Sequence, residues 1–167
     1  MNKKVGFIAG AFDPFPHPGV IWAMHQAVSS GACDEIVVAL HEDPSLERSW
    51  KRKPALSVEE RKIFVLALRY VSDVIVYQTE SDLIEVIREV RPATRILGED
   101  YKGKEFTGDD LCRELGIEIF YAQREPGWSG TEMATAIADA LVAGRNRIEE
   151  NRTPPGGSII VGNGIAK

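Results

Sequence analysis

The sequence has little that would cross-link a chain or carry it into a membrane. Its two cysteines, Cys33 and Cys112, lie far apart and form no CxxC or other metal-binding spacing. This excludes a disulfide scaffold and favours two reduced, packed thiols. No apolar run approaches the ~20 residues of a membrane-spanning helix. The apolar run 5–9 is also too short for a signal peptide and is soon followed by Asp13 and Pro14. We therefore expect a cytoplasmic protein with no membrane partner.

A surplus of basic residues is also absent. The 167 residues include 20 Lys and Arg and 25 Asp and Glu, which gives a net charge of −5. Proteins that bind nucleic acid through its phosphates usually carry a basic surplus, so a nucleic-acid partner is not expected. Hydrophobic residues make up 44% of the chain and charged residues 27%, the composition of a globular domain.

Short apolar runs alternate with segments of helical periodicity along most of the chain. Strands that are apolar on both faces and separated by helices indicate a parallel sheet covered on both sides. Right-handed crossovers make such a sheet doubly wound. We predict an α/β fold, a Rossmann-like, doubly wound five-stranded parallel sheet. The predicted strands are 5–9, 35–40, 73–77, 94–97 and 117–121, and the predicted helices are 20–30, 57–70, 80–90, 107–115 and 129–143.

The character of the chain changes after Gly144, the expected stop of the last helix. The following residues are polar, and Pro154 and Pro155 then precede two glycines. We predict that residues 1–144 form the α/β domain and that residues 145–167 form a tail. A flexible tail is the simpler interpretation, and an arm that packs on another subunit is the alternative.

The segment between the first strand and the first helix is the first candidate site, because doubly wound sheets bind ligands at the carboxyl ends of their strands. It reads Gly-Ala-Phe-Asp-Pro-Phe-Pro-His-Pro-Gly-Val over residues 10–20. A helix N-terminus attracts phosphate, and Gly10 and Gly19 allow the backbone to approach a ligand closely. His17 can donate to a phosphate oxygen. The residues alone leave open a plain loop in which His17 has no ligand.

This segment resembles the Gly-x-Phe-Asp-Pro…His-x-Gly-His signature of the nucleotidylyltransferase superfamily, and especially its glycerol-3-phosphate cytidylyltransferase group. Further similar segments follow in the same order, each near an end of a predicted element. They are Glu-Glu-Arg-Lys at 59–62, Arg-Tyr-Val at 69–71, Leu-Gly-Glu-Asp-Tyr-Lys-Gly-Lys at 97–104 and Arg-Glu-Pro-Gly-Trp-Ser-Gly-Thr at 124–131.

The resemblance implies transfer of CMP from CTP to a small phosphorylated alcohol, with glycerol 3-phosphate as an example. The acceptor phosphate would attack in line and release pyrophosphate, and Mg²⁺ would accompany the triphosphate. The resemblance also implies a homodimer. Two other interpretations stay open: an adenylyltransferase that uses ATP on a phosphorylated cofactor precursor or sugar, and a catalytically degenerate nucleotide-binding or structural protein.

The chain departs from the family's pattern at three places. Three residues, rather than two, separate Asp13 from His17, and Val20 replaces the second histidine of the signature. Glu132 stands where the family often has lysine. The last two changes remove positive charge from the phosphate site, and all three support the degenerate interpretation.

Nucleotidyl transfer needs cations and backbone donors around phosphates rather than a nucleophilic side chain. The basic loop, which contains Arg48 and follows the second strand, supplies candidate cations, although a solvated loop is the alternative. Ser129 and Thr131 could simply cap the last helix. The predicted catalytic residues are His17, Lys53, Arg69 and Arg124; the nucleotide-binding residues are Gly10, Ala11, Phe12, Asp13, Gly19, Gly98, Glu99, Asp100, Ser129, Gly130 and Thr131; and the substrate-binding residues are Lys51, Arg52 and Arg61.

A metal site held by side chains is not predicted. His41 is followed by Glu42 and Asp43, but a single histidine at this spacing is weak evidence for a metal, and a plain loop is favoured.

Overall fold

A computed structural model, which describes residues 3–152, contains one five-stranded parallel sheet in the order β3-β2-β1-β4-β5. This confirms the predicted Rossmann-like, doubly wound α/β fold. The strands are β1 (Val5–Gly10), β2 (Glu35–His41), β3 (Val71–Tyr77), β4 (Thr94–Gly98) and β5 (Glu118–Ala122), and the helices are α1 (Pro18–Ser29), α2 (Val58–Leu66), α3 (Glu80–Val90), α4 (Asp109–Leu115) and α5 (Gly130–Arg152), with a short 3-10 helix at Glu99–Tyr101.

Two hydrophobic clusters cover the two faces of this sheet. Successive strand residues point to opposite faces, so Phe7 belongs to one cluster and Ile8 to the other. The Ile8 cluster includes Met24 of α1 and Val65 of α2. The Phe7 cluster includes Ile87 of α3 and residues of α4. The chain therefore places α1 and α2 on one face and α3 and α4 on the other.

Two helix ends differ from the sequence prediction by four residues or more. Helix α2 ends at Leu66 instead of Tyr70, because the carbonyl oxygen of Tyr70 accepts a hydrogen bond from the amide of Ile36 at 2.9 Å, where β2 and β3 begin. Helix α5 does not stop at Gly144 and continues to Arg152. A glycine inside a helix costs only about 1 kcal/mol, which the surrounding helix formers offset.

The described chain divides into two compact units after Gly130. The predicted boundary at residue 144 falls inside α5, and the division into residues 1–144 and 145–167 stays a prediction. The Pro- and Gly-rich part of the predicted tail lies outside the described residues.

Both cysteines are free and buried. Burial raises the pKa of the Cys33 and Cys112 thiols, so both behave as packed, protonated side chains rather than as reactive thiolates. Among the described residues, no helix has the length and apolarity that crossing a membrane requires.

The guanidinium of Arg61 holds together the carboxyl edge of the sheet near β1 and β2. This side chain is buried, and its Nη1 atom donates to the carbonyl oxygens of Ala11 and His41, each at 2.8 Å. Its Nη2 atom donates to the carbonyl of Glu42 at 2.5 Å and its Nε atom to that of Leu56 at 3.2 Å. One side chain thereby fixes the segment after β1, the end of β2 and the start of α2.

The carboxylate of Asp13 makes a second connection between the same segments. Its Oδ1 atom accepts hydrogen bonds from the backbone amides of Ala55 (2.8 Å) and Leu56 (3.2 Å). Helix α2 then begins with the predicted capping box, in which Ser57 and Glu60 exchange side chain-to-backbone hydrogen bonds. The loop before α2 is thus attached to the loop that follows β1.

We expect Arg61→Met to destabilise the protein by about 3 kcal/mol, because it leaves buried carbonyl groups without donors. Urea unfolding followed by circular dichroism measures the change. The matched control is Arg88→Met, because Arg88 is a half-exposed arginine of α3, and its loss should change stability by less than about 0.5 kcal/mol. Equal stability of the two variants would show that the Arg61 contacts do not hold this edge.

Candidate active site

Three loops meet where the sheet reverses its strand order. The sheet order places β1 beside β4, and β4 beside β5. The segments that follow these strands are residues 11–17, the 3-10 helix Glu99–Tyr101 and residues 123–129. Crevices at such reversals are the usual ligand sites of doubly wound sheets.

The segment after β5 is attached to both of its neighbours. The Gln26 side chain of α1 makes two 3.0 Å hydrogen bonds to the backbone of Gln123. The amide of Arg124 donates to Glu99 Oε1 at 3.0 Å. Residues 125–128 then form a turn closed by a Trp128 N–H···O=C Glu125 hydrogen bond of 3.3 Å, with Gly127 at a φ of 80°. Proline at the second position and glycine at the third suit that geometry.

The imidazole of His17 lies between two glycines. A Cβ atom added to Gly19 would lie 3.1 Å from His17 Cε1 and 2.5 Å from the carbonyl oxygen of Trp128. A Cβ atom added to Gly130 would lie 3.2 Å from His17 Cδ2. Because neither glycine has a side chain, the His17 ring fits between them. The contribution of Gly19 and Gly130 to the site is therefore the space for this imidazole.

Burial and a nearby cation lower the pKa of His17. Desolvation is the largest effect and the positive charge of Arg124 adds to it, although the Trp128 backbone opposes them. His17 Nδ1 is buried and has no hydrogen-bond partner within residues 3–152. A buried polar atom of this kind needs a water, an ion or a ligand to satisfy it.

The N-terminus of α1 does not present the row of unpaired amides that helix N-termini usually offer. His17 is the N-cap residue and Pro18 carries no N–H group. The amide of Gly19 donates to Trp128 at 3.2 Å, and that of Val20 donates to the His17 carbonyl at 3.0 Å. The first turn contains no acidic residue, so the partial positive charge of the helix end remains. An anion at this helix end would therefore be attracted mainly by the partial positive charge and by nearby side chains, and less by free backbone amides.

Arg124 and Asp100 form the polar rim of the site. Arg124 Nε lies 3.7 Å from Asp100 Oδ1, and the Arg124 side chain is 60% exposed. This leaves most of its donors open to an anionic ligand. Gly98 lies close to this pair: a Cβ atom there would lie 2.5 Å from Asp100 Oδ1 and would displace this carboxylate. The structure thus brings Gly98, Glu99, Asp100 and Arg124 together, and their contacts with a nucleotide stay a prediction.

The residues after β1 shape the floor of the site. The ring of Phe12 covers Gly10, where an added Cβ atom would meet it at 3.2 Å, and Phe12 has a φ of 48°. The carbonyl of Ala11 accepts from Arg61. Because the Asp13 carboxylate is already bound by two amides, its contribution is to position the loop.

The predicted cations do not all reach this crevice. Arg69 lies just before β3, at the edge of the sheet opposite the carboxyl ends, and its guanidinium contacts the ring and hydroxyl of Tyr70. Its predicted catalytic role is therefore not supported by its position. Arg61 was predicted to contact the substrate, but its guanidinium is not exposed to one. The residue is 1% exposed and donates to four carbonyls. Its position favours a positioning role.

The basic loop contributes exposed charge. Lys51, Arg52 and Lys53 are exposed, whereas Arg48 is paired with Glu80 at 2.5 Å. The Asp13 contacts attach the end of this loop to the segment after β1. The three exposed side chains therefore belong to the same edge of the sheet as His17, but their contact with a substrate stays a prediction.

The remaining predicted residues lie at the start of α5 and in α1. Ser129 precedes Gly130, where α5 begins, and the carbonyl of Thr131 accepts from the Thr135 hydroxyl at 3.0 Å. Val20, at the place of the family's second histidine, is buried in the hydrophobic cluster with Met24. This position therefore serves the core, and the imidazole at the site comes from His17.

Sequence reasoning missed the residues that hold the segment after β5. Gln26 and Gln123 are 97 residues apart in the chain, and neither belongs to a recognisable motif. The carbonyl of Trp128 also holds this segment, because it accepts from the amide of Gly19. The pattern Glu-Pro-Gly-Trp is the one sequence signal for the turn there.

Comparison with known families identifies the class of protein. The model of the family described as Cytidylyltransferase-like matches residues 7–136, and this range includes all three loops of the site. The chain belongs to this family, and hence to the nucleotidyltransferases.

The similar proteins include several described as bifunctional protein HldE. The one from Gluconacetobacter diazotrophicus is 33% identical over 143 residues, which cover 85% of this chain and 29% of that protein. The one from Wolinella succinogenes is 32% identical over 124 residues, 74% of this chain and 25% of that protein. The chain thus spans less than a third of the length of these relatives.

A solved structure shares the fold. The lipopolysaccharide core biosynthesis protein of Thermoplasma volcanium GSS1 superposes with a TM-score of 0.56 at 24% identity, covering 74% of this chain and 98% of that one.

We expect His17 to titrate below the ordinary imidazole value of 6.5, so that it is neutral at neutral pH. Removal of the nearby charge by Arg124→Gln should raise this pKa. Histidine resonances followed by NMR across a pH series measure both values, with His17→Asn as the assignment variant. Arg88→Gln is the control and should leave the His17 titration unchanged. An unchanged titration in Arg124→Gln would show that Arg124 does not act on the imidazole.

Proposed function

We propose that this chain transfers CMP from CTP to a small phosphorylated alcohol, for which glycerol 3-phosphate is the test acceptor, and releases pyrophosphate. The observation that supports this most directly is the joint placement of His17 and Arg124 at the strand reversal of a Cytidylyltransferase-like domain. His17 supplies a ring donor and Arg124 an exposed guanidinium, and both suit the oxygens of a triphosphate.

The reaction needs no nucleophilic side chain. A phosphate oxygen of the acceptor forms a bond to the α-phosphorus of the nucleotide, and the bond from that phosphorus to the bridging oxygen of the β-phosphate breaks. The electron pair of that bond leaves with pyrophosphate. The protein accelerates the exchange by holding the reactants in line and by stabilising the negative charge that accumulates on the phosphate oxygens.

In this scheme, His17 and Arg124 act on the triphosphate. The imidazole is neutral in the free protein because burial lowers its pKa, and it donates one N–H. A bound triphosphate would favour the protonated ring, since nearby negative charge raises a histidine pKa. Arg124 can form paired hydrogen bonds to a phosphate. The glycines at 19 and 130 keep the imidazole in place.

Mg²⁺ is proposed as the companion of the triphosphate. The oxygen donors at this edge fit a hard cation, because the carboxylate of Asp100 is partly exposed at the rim beside Arg124. Asp100 would supply an oxygen ligand, while the phosphates would supply others. When bound, Mg²⁺ neutralises phosphate charge.

The exposed Lys51, Arg52 and Lys53 are proposed to attract the phosphorylated acceptor. They lie in a protein of net charge −5, so their local positive charge contrasts with the surrounding surface. Such a contrast concentrates an anionic substrate near the site.

ATP is the second candidate nucleotide, because the identified donors suit any triphosphate and do not read its base. Under that alternative, the acceptor is a phosphorylated cofactor precursor or sugar. A third candidate is nucleotide binding without turnover. The buried position of Val20 supports it, because the family's second histidine has no counterpart there.

Pyrophosphate release with CTP or ATP, Mg²⁺, and either glycerol 3-phosphate or a phosphorylated sugar as acceptor tests the proposal. We expect release with CTP that depends on the acceptor. The variants His17→Asn and Arg124→Gln should each lower kcat/KM about 100-fold, as losing one preorganised phosphate donor does. Arg88→Gln, on α3, is the matched control and should retain full activity.

Each other outcome selects an alternative. Turnover with ATP alone supports the adenylyltransferase. Calorimetric binding of CTP or ATP without turnover, and without gain in Val20→His, supports the degenerate protein. Absence of both binding and turnover, or full activity in both site variants, contradicts the proposed site.

We also propose a homodimer, and the apolar surface of α2 supports it. Ile63 is 68% exposed, and Phe64 and Leu66 are each 46% exposed. Contiguous apolar side chains on one short helix are typical of a surface that a partner covers. A cytoplasmic location is proposed on separate grounds, the two free buried thiols.

Sedimentation equilibrium tests the dimer. We expect the mass of two chains for the wild type and of one chain for Ile63→Glu, because burying a carboxylate in an apolar contact is costly. Leu46→Glu is the control: Leu46 is 81% exposed outside α2, so this variant should remain dimeric. A monomeric wild type would contradict the proposal.

A further inference from the structure

Three side chains from separate segments converge beside the ends of β2 and β3. His41 is the last residue of β2, Glu47 lies in the loop that follows, and Glu80 is the first residue of α3. His41 Nε2 lies 3.9 Å from Glu47 Oε2 and 3.9 Å from Glu80 Oε1. The three ligand atoms lie within 4.8 Å of one another. None of these residues belongs to the proposed nucleotide site.

The imidazole of His41 is buried and has no hydrogen-bond partner. Its side chain is 3% exposed, and neither ring nitrogen makes a hydrogen bond within the described part of the chain. Buried polar atoms are nearly always satisfied by protein, water or an ion. The ring packs against Tyr77 with 4.5 Å between centroids, which fixes its direction towards the two carboxylates.

The charge state of these groups suits a cation. Metals bind the neutral imidazole, and the buried His41 ring places Nε2 3.9 Å from both carboxylates with no other partner in the described residues. Glu47, Glu80 and the nearby Asp43, which also acts on His41, bring negative charge. Two arginines face this group: Arg48 contacts Glu80 Oε1 at 2.5 Å, and the buried Arg95 also acts on Glu80. Three carboxylates therefore face two arginines, and a divalent ion at Glu80 Oε1 would take the place that Arg48 holds.

Neighbouring groups orient the two carboxylates. Glu47 Oε2 accepts from the backbone amide of Glu80 at 2.9 Å, and Glu80 Oε2 accepts from the Thr107 hydroxyl. Such outer contacts hold metal ligands in position in known sites. The cluster is thus partly organised before any ion arrives.

We propose that His41, Glu47 and Glu80 bind a divalent first-row transition metal of the Zn²⁺ class. Imidazole nitrogen favours these ions over Mg²⁺ and Ca²⁺, which take oxygen ligands. Bond lengths of about 2.1 Å in a tetrahedral site place ligand atoms about 3.4 Å apart. His41 Nε2 lies 3.9 Å from each carboxylate, and the three atoms lie within 4.8 Å of one another. Binding of an ion therefore needs an inward movement of both carboxylates and the release of Glu80 Oε1 by Arg48. Glu47 and Glu80 are 35% and 25% exposed.

Three protein ligands leave one position of a tetrahedral ion open to water or to an anionic ligand. The site lies close to the proposed nucleotide site along the same edge of the sheet, because Arg61 binds the carbonyls of both Ala11 and His41. An ion there would anchor the loop after β2 to the start of α3. This loop also carries the exposed Lys51, Arg52 and Lys53.

Metal titration of the full-length, tag-free protein tests the site without any nucleotide. The protein is stripped with a chelator and titrated with ZnCl₂ by calorimetry, and the bound metal is measured by elemental analysis after dialysis. The variants are His41→Gln and Glu47→Gln. Glu42→Gln is the matched control, since Glu42 adjoins His41 but lies outside the three ligands.

We expect one Zn²⁺ per chain in the wild type and in Glu42→Gln, and at least tenfold weaker binding in both ligand variants. Excess Mg²⁺ should not displace the bound Zn²⁺. Co²⁺ in place of Zn²⁺ should give visible absorption bands that Glu47→Gln changes.

Three results would overturn the site: no stoichiometric Zn²⁺ in the wild type, wild-type affinity in Glu47→Gln, or displacement by Mg²⁺. Glu47 is partly exposed, so we expect the Glu47→Gln variant to fold. If His41→Gln unfolds, Glu47→Gln alone still tests the site. The Zn²⁺ titration contains no nucleotide. Its result therefore does not depend on whether the protein transfers a nucleotidyl group.

Discussion

The guanidinium of Arg61 is the interaction on which the carboxyl edge of the sheet depends. Parallel strands end with carbonyl groups that no neighbouring strand can satisfy, and the loops that follow β1 and β2 must still lie close together. The Arg61 guanidinium satisfies these carbonyl groups and holds the two loops together. Its donors bind the carbonyl oxygens of Ala11, His41, Glu42 and Leu56. Its burial is made tolerable by four hydrogen bonds and by surrounding carboxylates that include Asp13. The loop before His17 and the strand end at His41 therefore share one support.

Glycines shape the candidate site as much as its polar side chains do. Gly19 and Gly130 make the space for the His17 ring, and Gly98 admits the Asp100 carboxylate. The segment after β5 completes the crevice through the Gln26–Gln123 pair and the Trp128 carbonyl. Val20 lies in the core, so His17 supplies the imidazole beside Arg124 in this crevice.

Some of the site could be predicted from sequence and some could not, for physical reasons. The motif at 10–20 placed His17 and the glycines correctly at a strand end, because a loop that joins a strand to a helix is a local structure. Arg69 and Arg61 were harder to assign. Their motif segments resemble the family, but what a long side chain contacts depends on the packing around it. Arg61 turned inward to carbonyls, and Arg69 contacts Tyr70 at the other edge of the sheet. For His41, sequence reasoning considered its neighbours Glu42 and Asp43, whereas the fold brings Glu47 and Glu80 to the ring.

The sequence by itself determined the elements and their order. Apolar runs of strand length, helical periodicity and the Ser57–Glu60 capping box are properties of near neighbours. They defined a doubly wound parallel sheet and the edge that carries the candidate site. The tertiary structure alone decided the ends of α2 and α5, the direction of each arginine and the partners of each histidine. These depend on contacts between residues distant in the chain, such as Gln26 with Gln123 or His41 with Glu80, and no local pattern encodes which distant side chain will fill a given space.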